Sequence, residues 1–340
     1  VTITSLRIGT RRSALATTQS GHVADALREL AGIETPLVEI TTDGDRSQAE
    51  NTPLAGAPST GVFVSALRDA LLAGEVDVAV HSLKDLPTYA EEGITLVAVP
   101  PRQDPRDVIV ARDGLTLGEL PVGSRVGTGS PRRVAQLEAL GLGLEISGLR
   151  GNVDTRIGKV RSGELDAVVL ARAGLARLGR ADEATEVLDP LQVLPAPGQG
   201  ALAVECRSDD AETIALLAQL DDPATRAAIS AERTLMAHLE GGCAAPIGAL
   251  AELAEGDDGP EIWLRAVILS PDGALSVRRS GSAPLGAEPA GWPAAAAALG
   301  ASVAAEMLED GAGDLVGPPG PPPHGDQVPP SARPAEVHNA

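Results

Sequence analysis

Aromatic side chains are almost missing from this chain: Phe63, Tyr89, Trp263 and Trp292 are all there are in 340 residues. Surfaces that hold single-stranded nucleic acid stack bases on aromatic faces, and a formal net charge of −20 repels a polyanion. Nucleic acid is therefore excluded as a partner. Cysteine is as scarce. Cys206 and Cys243 are too few for a disulfide framework or a four-thiolate zinc site. No HExxH, paired CxxC or complete P-loop is present, so no metal is expected. Long hydrophobic runs are lacking too. The most alanine-rich stretch, 293–307, is interrupted by Gly300 and Ser302 and falls short of the ~20 apolar residues that span a bilayer. The opening VTITSLRIGT has no apolar signal core. These absences describe a soluble, cytoplasmic protein without a membrane partner.

Lysine occurs only as Lys84 and Lys159, so nearly all positive charge is arginine. A general bias toward Arg and Ala accounts for most of that count, but not for the clustering of Arg between Arg125 and Arg180 in so acidic a chain. A local basic region of this kind suits a small anionic ligand held in a cleft.

The length predicts two or three domains. Short β-rich runs alternate with amphipathic helical runs through the first two hundred residues. Strands are expected at 6–10, 37–41, 76–82, 94–100, 107–111, 124–128, 144–149 and 165–171. Helices are expected at 13–30, 62–72, 131–140 and 153–161. That alternation implies α/β units with parallel sheets and crossovers. Proline-rich PPRQDPR (100–106) and LPAPGQG (194–200) mark boundaries, and ALAVEC (201–206) reads as a buried strand returning to a sheet. From about Pro223 a helix, three strands and a second helix suggest a smaller α+β domain. The expected division is 1–100 with 200–220, then 101–199, then 221–310, with 311–340 a disordered Pro-rich tail.

HSLKDLP (81–87) stands at the end of a buried strand, where α/β folds gather ligand-facing groups. Asp85 could act there as acid, base or cation stabiliser, or could merely cap the turn before Pro87. In GTGSPRR (127–133), Ser130 suits an N-cap and Pro131 the first helical turn. Free N–H groups and a positive dipole end would then face an anion, with Arg132 and Arg133 as guanidinium forks. A plain capped helix with exposed arginines is the alternative. LRGNVDTR repeats the theme with Arg150 and Arg156, and GTRRSALA adds Arg11 and Ser13. A convergent set of arginines implies a ligand with several carboxylates or phosphates. Cys243, after two glycines in EGGCAAPIG, is either an accessible thiol or an ordinary small hydrophobe, whereas Cys206 lies in an apolar run and reads as buried.

Taken in order, RIGTRRSALA, the run Thr42–Asp45, GVFVSAL, HSLKDLP, RQDPRD, VGTGSPRR, LRGNVDTR, LARAGLARL, APGQGALAVECR and AERTLMAHLEGGCAAPIG resemble the porphobilinogen deaminase (hydroxymethylbilane synthase) family over about residues 3–310. The resemblance implies two hinged, binding-protein-like α/β domains with a cleft between them, plus a smaller C-terminal α+β domain. It implies a monomeric, cytoplasmic transferase of haem and porphyrin biosynthesis carrying a dipyrromethane cofactor on Cys243 through a thioether. Porphobilinogen is its substrate: four units add in turn, each losing ammonia, and water then releases the linear tetrapyrrole. By motif, Asp85 is the catalytic carboxylate. Ser82, Lys84, Thr128, Ser130, Arg132, Arg133, Arg150 and Arg156 are implied to hold the cofactor, and Arg11, Ser13, Phe63, Arg177 and Gln199 the substrate. The arginines are expected to hold carboxylates rather than to stabilise the fold. The loop 43–61 lacks the lysines usual in the family; Gly56 and Thr60 stand in that region. Arg172 has no motif-based role. The chemistry agrees with the resemblance, since an ionised carboxylate stabilises the cation left when ammonia departs and can manage its protons. A non-catalytic, two-lobed anion-binding protein is the competing reading.

Overall fold

The computed structural model describes residues 3–40, 59–239, 246–257 and 259–315, with the backbone alone for 59–63. Cys243, the run Thr42–Asp45, the lysine-free stretch 43–58, the Phe63 side chain and residues 316–340 of the expected tail lie outside what is described, whereas 311–315, assigned to that tail, hold a 3-10 turn at Ala312–Asp314 with Ala312 buried in the core of the last unit.

The chain begins with β1 (Ile8–Thr10), α1 (Ala14–Ala31), β2 (Leu37–Glu39), α2 (Ser59–Leu72), β3 (Val78–Ser82) and β4 (Ile94–Ala98). It then crosses to a second unit of β5 (Asp107–Ala111), β6 (Arg125–Gly127), α3 (Pro131–Ala139), β7 (Glu145–Ser147), α4 (Val153–Arg161), β8 (Ala167–Ala171), α5 (Arg172–Arg177) and β9 (Glu186–Val187). A return crossing leads to β10 (Leu202–Arg207) and α6 (Ala211–Leu217). The last unit has α7 (Pro223–His238), β11 (Ile247–Gly256), β12 (Gly259–Leu269), β13 (Ser276–Pro284) and α8 (Trp292–Glu309).

Among the described residues, two five-stranded sheets result, ordered β2-β1-β3-β10-β4 and β7-β6-β8-β5-β9, and a three-stranded one, β11-β12-β13. The first two are mixed rather than parallel, which corrects the expectation from helix–strand alternation. The exceptions are the strands that arrive from the other unit. β10 runs antiparallel to β3 and β4, and β5 runs antiparallel to β8 and β9. The reason is where each crossing lands. Leu202, the first residue of β10, pairs with Ser82, the last of β3; Asp107, the first of β5, pairs with Ala171, the last of β8. A strand that enters beside its neighbour's end must run backward. The carboxyl ends of β3 and β8 therefore share a rim with both crossings.

Each sheet has its own apolar packing. Ile8, Val78, Val80, Val204 and Cys206 pack with α1 residues Val23 and Leu27. Ile109, Val126, Ala167 and Val169 pack with Leu137 of α3, and Val108, Val168 and Leu170 pack with Ile157 of α4. In the last unit, Leu235 of α7 and Val303 of α8 cover Ala249, Leu264 and Ala266. A smaller seam of Ala135, Leu194, Leu250, Val267 and Leu269 joins α3 to the three-stranded sheet. Among the described residues, no helix is long and apolar enough to cross a membrane.

Candidate active site

Strand β3 is buried along its length and ends in a single 3-10 turn, Leu83–Asp85. Leu83 and Leu86 are fully buried and pin this turn, so the intervening Lys84 and Asp85 are left facing the rim. The segment 195–200 lies directly on it. Gly198 has φ +76, and a Cβ there would meet Leu83 Cδ2 at 2.6 Å, so only glycine permits the contact.

Across the rim, α3 starts with Pro131 at its first position. Ser130 occupies the N-cap place but makes no capping hydrogen bond through its side chain, contrary to its expected capping role; it lines the cavity instead. Thr128 is buried, and its hydroxyl accepts from the Ser130 N–H at 3.3 Å. A Cβ on Gly129 would sit 2.5 Å from the Leu149 carbonyl oxygen. That close approach presses together the two strand–helix junctions that carry GTGSPRR and LRGNVDTR.

These elements enclose a cavity of about 250 Å³ whose walls include Lys84, Asp85, Ser130, Arg132, Arg133, Arg156 and Gln199. Met236 of α7 and Ile247 of β11, which bracket Cys243 in the sequence, line it as well. A second cavity of about 270 Å³ adjoins it, with Arg11, Ser13, Asn152, Lys84 and Arg156 on its walls. Lys84 and Arg156 belong to both, so the two cavities form one cleft between the first two units. Ser13 has a second task here: its hydroxyl accepts from Ala16 N at 3.3 Å and caps α1.

Asp107, the fully buried first residue of β5, organises the positive wall. Arg132 Nη2 donates to one of its oxygens at 2.8 Å, and Arg133 Nη2 to the other at 2.7 Å. Gln199 Nε2 adds a third bond at 2.7 Å, while Gln199 Oε1 accepts from Lys84 Nζ at 3.2 Å. Burial alone would raise the Asp107 carboxyl, but the two guanidiniums hold it well below the usual carboxylate range. One carboxylate against two guanidiniums leaves one unit of positive charge uncompensated beside the cavity. Arg133 also donates to the Val169 carbonyl at 3.0 Å, and Arg132 to that of Leu194. Both arginines are thus built into the fold, which corrects the expectation that they serve carboxylates alone.

Lys84 is drawn down to about 8, first by desolvation and then by repulsion from Arg133, with Asp85 and Asp107 opposing. Arg156 is also lowered, by burial and by Arg133; its Nε donates to the Gly151 carbonyl at 2.9 Å. Neither has a carboxylate ion-pair partner among the described residues. Ser82 lies one step back, where Gln19 of α1 donates to its hydroxyl at 2.9 Å.

Two expected site residues stand elsewhere. Arg150 is exposed and outside the lining of both cavities. Arg177 is buried, donates to the Gly200 carbonyl at 2.6 Å, and lines a different cavity beside the crossings. Sequence reasoning missed Asp107, Gln19, Arg102 and Glu232. The first and third lie inside RQDPRD, where a charged pattern in a Pro-rich boundary was the available signal. Glu232, fully buried on α7, accepts from Arg102 at 2.6 and 3.0 Å, from Gly198 N at 2.7 Å and from Ala251 N at 2.9 Å. Arg172, without a motif-based role, pairs with Asp104 at 2.6 Å.

Comparison with known proteins bears directly on this cleft. Residues 6–215 match the family model "porphobilinogen deaminase, dipyromethane cofactor binding domain", and 227–309 match "porphobilinogen deaminase, C-terminal domain". The porphobilinogen deaminase of Mycobacterium tuberculosis H37Rv is 58% identical over 316 residues, covering 92% of this chain and 98% of its own. Porphobilinogen deaminase 1 of Streptomyces coelicolor is likewise 58% identical, over 318 residues, with the same coverage.

This chain belongs to the porphobilinogen deaminase family.

It is a transferase that builds a linear tetrapyrrole from porphobilinogen on a dipyrromethane primer, and the reading as a non-catalytic binder is set aside. Among solved structures, the methionine-binding protein MetQ overlaps 64% of the chain at 14% identity with a TM-score of 0.42. The deaminase family's cofactor is a chain of pyrroles bearing carboxylates, and the cleft residues fit it: Lys84 and Arg156 lack ion-pair partners among the described residues, and the Asp107 cluster leaves one positive charge over.

Proposed function

We propose that Asp85 is the carboxylate on which each condensation depends, that Cys243 carries the primer, and that the cations around Asp85 hold the carboxylates of primer and growing chain. The observation that carries this reading is the position of Asp85. It is an acidic group in a cavity walled by Lys84, Arg132, Arg133 and Arg156, into which the residues flanking Cys243 also face.

When bound, the dipyrromethane supplies a nucleophilic pyrrole carbon at its free end. Lys84 and Arg156, common to both cavities, bind carboxylates on either side of the turn. Arg132 and Arg133 lend the excess charge that Asp107 leaves them. Ser130 offers a hydroxyl from the N-terminal end of α3, where helix N–H groups favour anions. Arg11 and Ser13 stand at the far cavity, where an incoming porphobilinogen has a place for its own carboxylates. The substrate's ammonium group leaves as ammonia; Asp85, ionised, stabilises the cation that remains, and takes the proton from the pyrrole carbon once the new bond has formed. Gln199 bridges Lys84 to Asp107 and keeps both oriented. We place Thr128 and Ser82 behind this wall as supports, and Phe63, Arg150 and Arg177 at sites that substrate or a longer chain reaches. The units 1–100 with 200–220, 101–199 and 221–310 act as three domains hinged at 100–106 and 194–200, and the enzyme works as a cytoplasmic monomer.

Intact mass tests the covalent part. The purified chain should carry a dipyrrole adduct that disappears in Cys243→Ser and persists in Cys206→Ser. An adduct surviving Cys243→Ser overturns the assignment.

A further inference from the structure

Asp85 stands on a three-residue turn that closes with one hydrogen bond, from Leu86 N to the Leu83 carbonyl at 3.0 Å. A lone helical turn orders several dihedrals for a single bond and needs support from outside. Its entry is held within the first unit, where Leu83 N donates to the Ala201 carbonyl at 3.1 Å. Its exit is held from the last unit. Arg233 of α7 donates through Nη1 to the Leu86 carbonyl at 3.1 Å and through Nη2 to the Pro87 carbonyl. The proline ring already fixes φ at Pro87, so tethering both carbonyls fixes the two peptide planes that leave the turn.

The helix that supplies this grip is built around it. Ile229, Arg233 and Met236 recur at i, i+4 and i+7 and so share one face of α7. Ile229 packs in the same apolar cluster as Leu83 and Leu86, the two residues that pin the turn. Met236 lines the cavity that holds Asp85. The helix ends at His238, and the chain runs on toward Cys243. Arg233 itself is partly buried and lines neither cavity of the cleft. Its guanidinium serves the backbone behind Asp85, not the carboxylates in front of it.

We propose that Arg233 is a positioning residue for the condensation: its two-pronged hold on the Leu86 and Pro87 carbonyls sets the place of Asp85 from the helix that leads to the primer's cysteine. The carboxylate and the primer's anchor then share one frame, although they belong to different units. The proposal rests on the reading of Asp85 and Cys243 given above. A planar fork reaches two carbonyls at once, whereas the single ammonium of lysine does not reproduce that geometry. Loss of the fork lets the turn drift, so the cost falls on the chemical step rather than on substrate binding.

The test uses the full, cofactor-bearing chain. Arg233→Met keeps an apolar stem against the helix and removes the fork. Isolated with its dipyrrole adduct, as intact mass verifies, it should lose about tenfold to a hundredfold in kcat, the scale of a ~1 Å misplacement. KM for porphobilinogen should stay within about twofold of the parent. Arg233→Lys, still able to donate to one carbonyl, should fall between the two, and it carries the same comparisons if Arg233→Met does not fold. The deciding measurement is a double-mutant cycle. In Asp85→Glu the carboxylate is already out of place, so adding the Arg233 change should cost less than about threefold more in kcat. An equal loss in both backgrounds, a loss confined to KM, or parental kcat in the adduct-bearing Arg233→Met overturns the proposal. Near-parental turnover in Asp85→Asn overturns the reading of Asp85 itself, and the proposal with it, by a measurement that leaves Arg233 untouched.

Discussion

Asp85 and Lys84 are neighbours in one 3-10 turn, yet the fold gives them different work. Asp85→Asn removes charge and proton acceptor at nearly constant shape. Turnover of the cofactor-bearing protein is expected to fall by orders of magnitude, with the far-ultraviolet spectrum unchanged; near-parental product formation would defeat the role. Asp85→Glu displaces the charge by about a methylene, and misplacement of ~1 Å can cost roughly a hundredfold, so single-turnover rates should show a weak enzyme rather than a dead one. Lys84 gives a pH signature. Its folded value of about 8 lies below the ordinary 10.5, so the charged form is disfavoured in the folded chain. Without ligand, the unfolded state binds more protons between those values, and stability rises with pH across that window. Carboxylate binding goes the other way, because it needs the charged form. The rate of primer assembly, followed by intact mass, should fall as pH rises through about 8. Lys84→Arg keeps its charge and should lose this alkaline limb; an identical limb in both proteins would refute the assignment. Cys206 offers a contrast at the same scale. It is fully buried, and burial pushes its thiol up to about 11, so it should resist alkylation in the folded protein.

At the scale of elements, the amino-terminal turn of α3 is where stability and binding coincide. Replacing Arg132 by Leu leaves Asp107 with one guanidinium instead of two, and breaking a buried ion pair costs about 3–5 kcal/mol. Arg132→Leu should therefore lower the unfolding midpoint as well as impair primer assembly, and assembly loss at unchanged stability would contradict the buried network. Much of this region was legible in the sequence. The helices over 131–139 and 153–161 and the strand over 107–111 lie where patterning expects them, because apolar periodicity, Pro131 and the Asn152 cap are local signals. Strand direction was not legible. Whether β5 and β10 run parallel or antiparallel depends on which edge a crossing reaches, and no local pattern encodes that. Pairing was likewise hidden. Asp107 and Arg132 are 25 residues apart, and a lone Asp at the start of an apolar strand does not announce two arginine partners. Family motifs drew Arg150 and Arg177 into the cleft with the rest; their burial and neighbours, which only the folded chain shows, place them apart.

At the scale of the whole molecule, Glu232 ties the last unit to both crossings at once, through Arg102 in one and Gly198 in the other. Glu232→Gln keeps the volume but removes the charge facing Arg102 and puts N–H donors where an acceptor is required. It should loosen the hinge region, seen as faster hydrogen exchange at 100–106 and 194–200, with the three-stranded sheet's own amides little changed. Uniform exchange across all three units would show that Glu232 serves only general stability.

The position of β10 also sets an order in time. It is an inner strand of the first sheet, between β3 and β4, yet it is made after every strand of the second. On the ribosome, β3 and β4 must wait, each with an edge open, while residues 107–187 emerge and can close their own sheet. The second unit, not the amino-terminal one, is then the first to complete itself during synthesis. A nascent chain halted with residues through 195 outside the ribosome should protect β5–β9 from protease while β1–β4 remain cleavable, and extension past Arg207 should close the first unit in a single step.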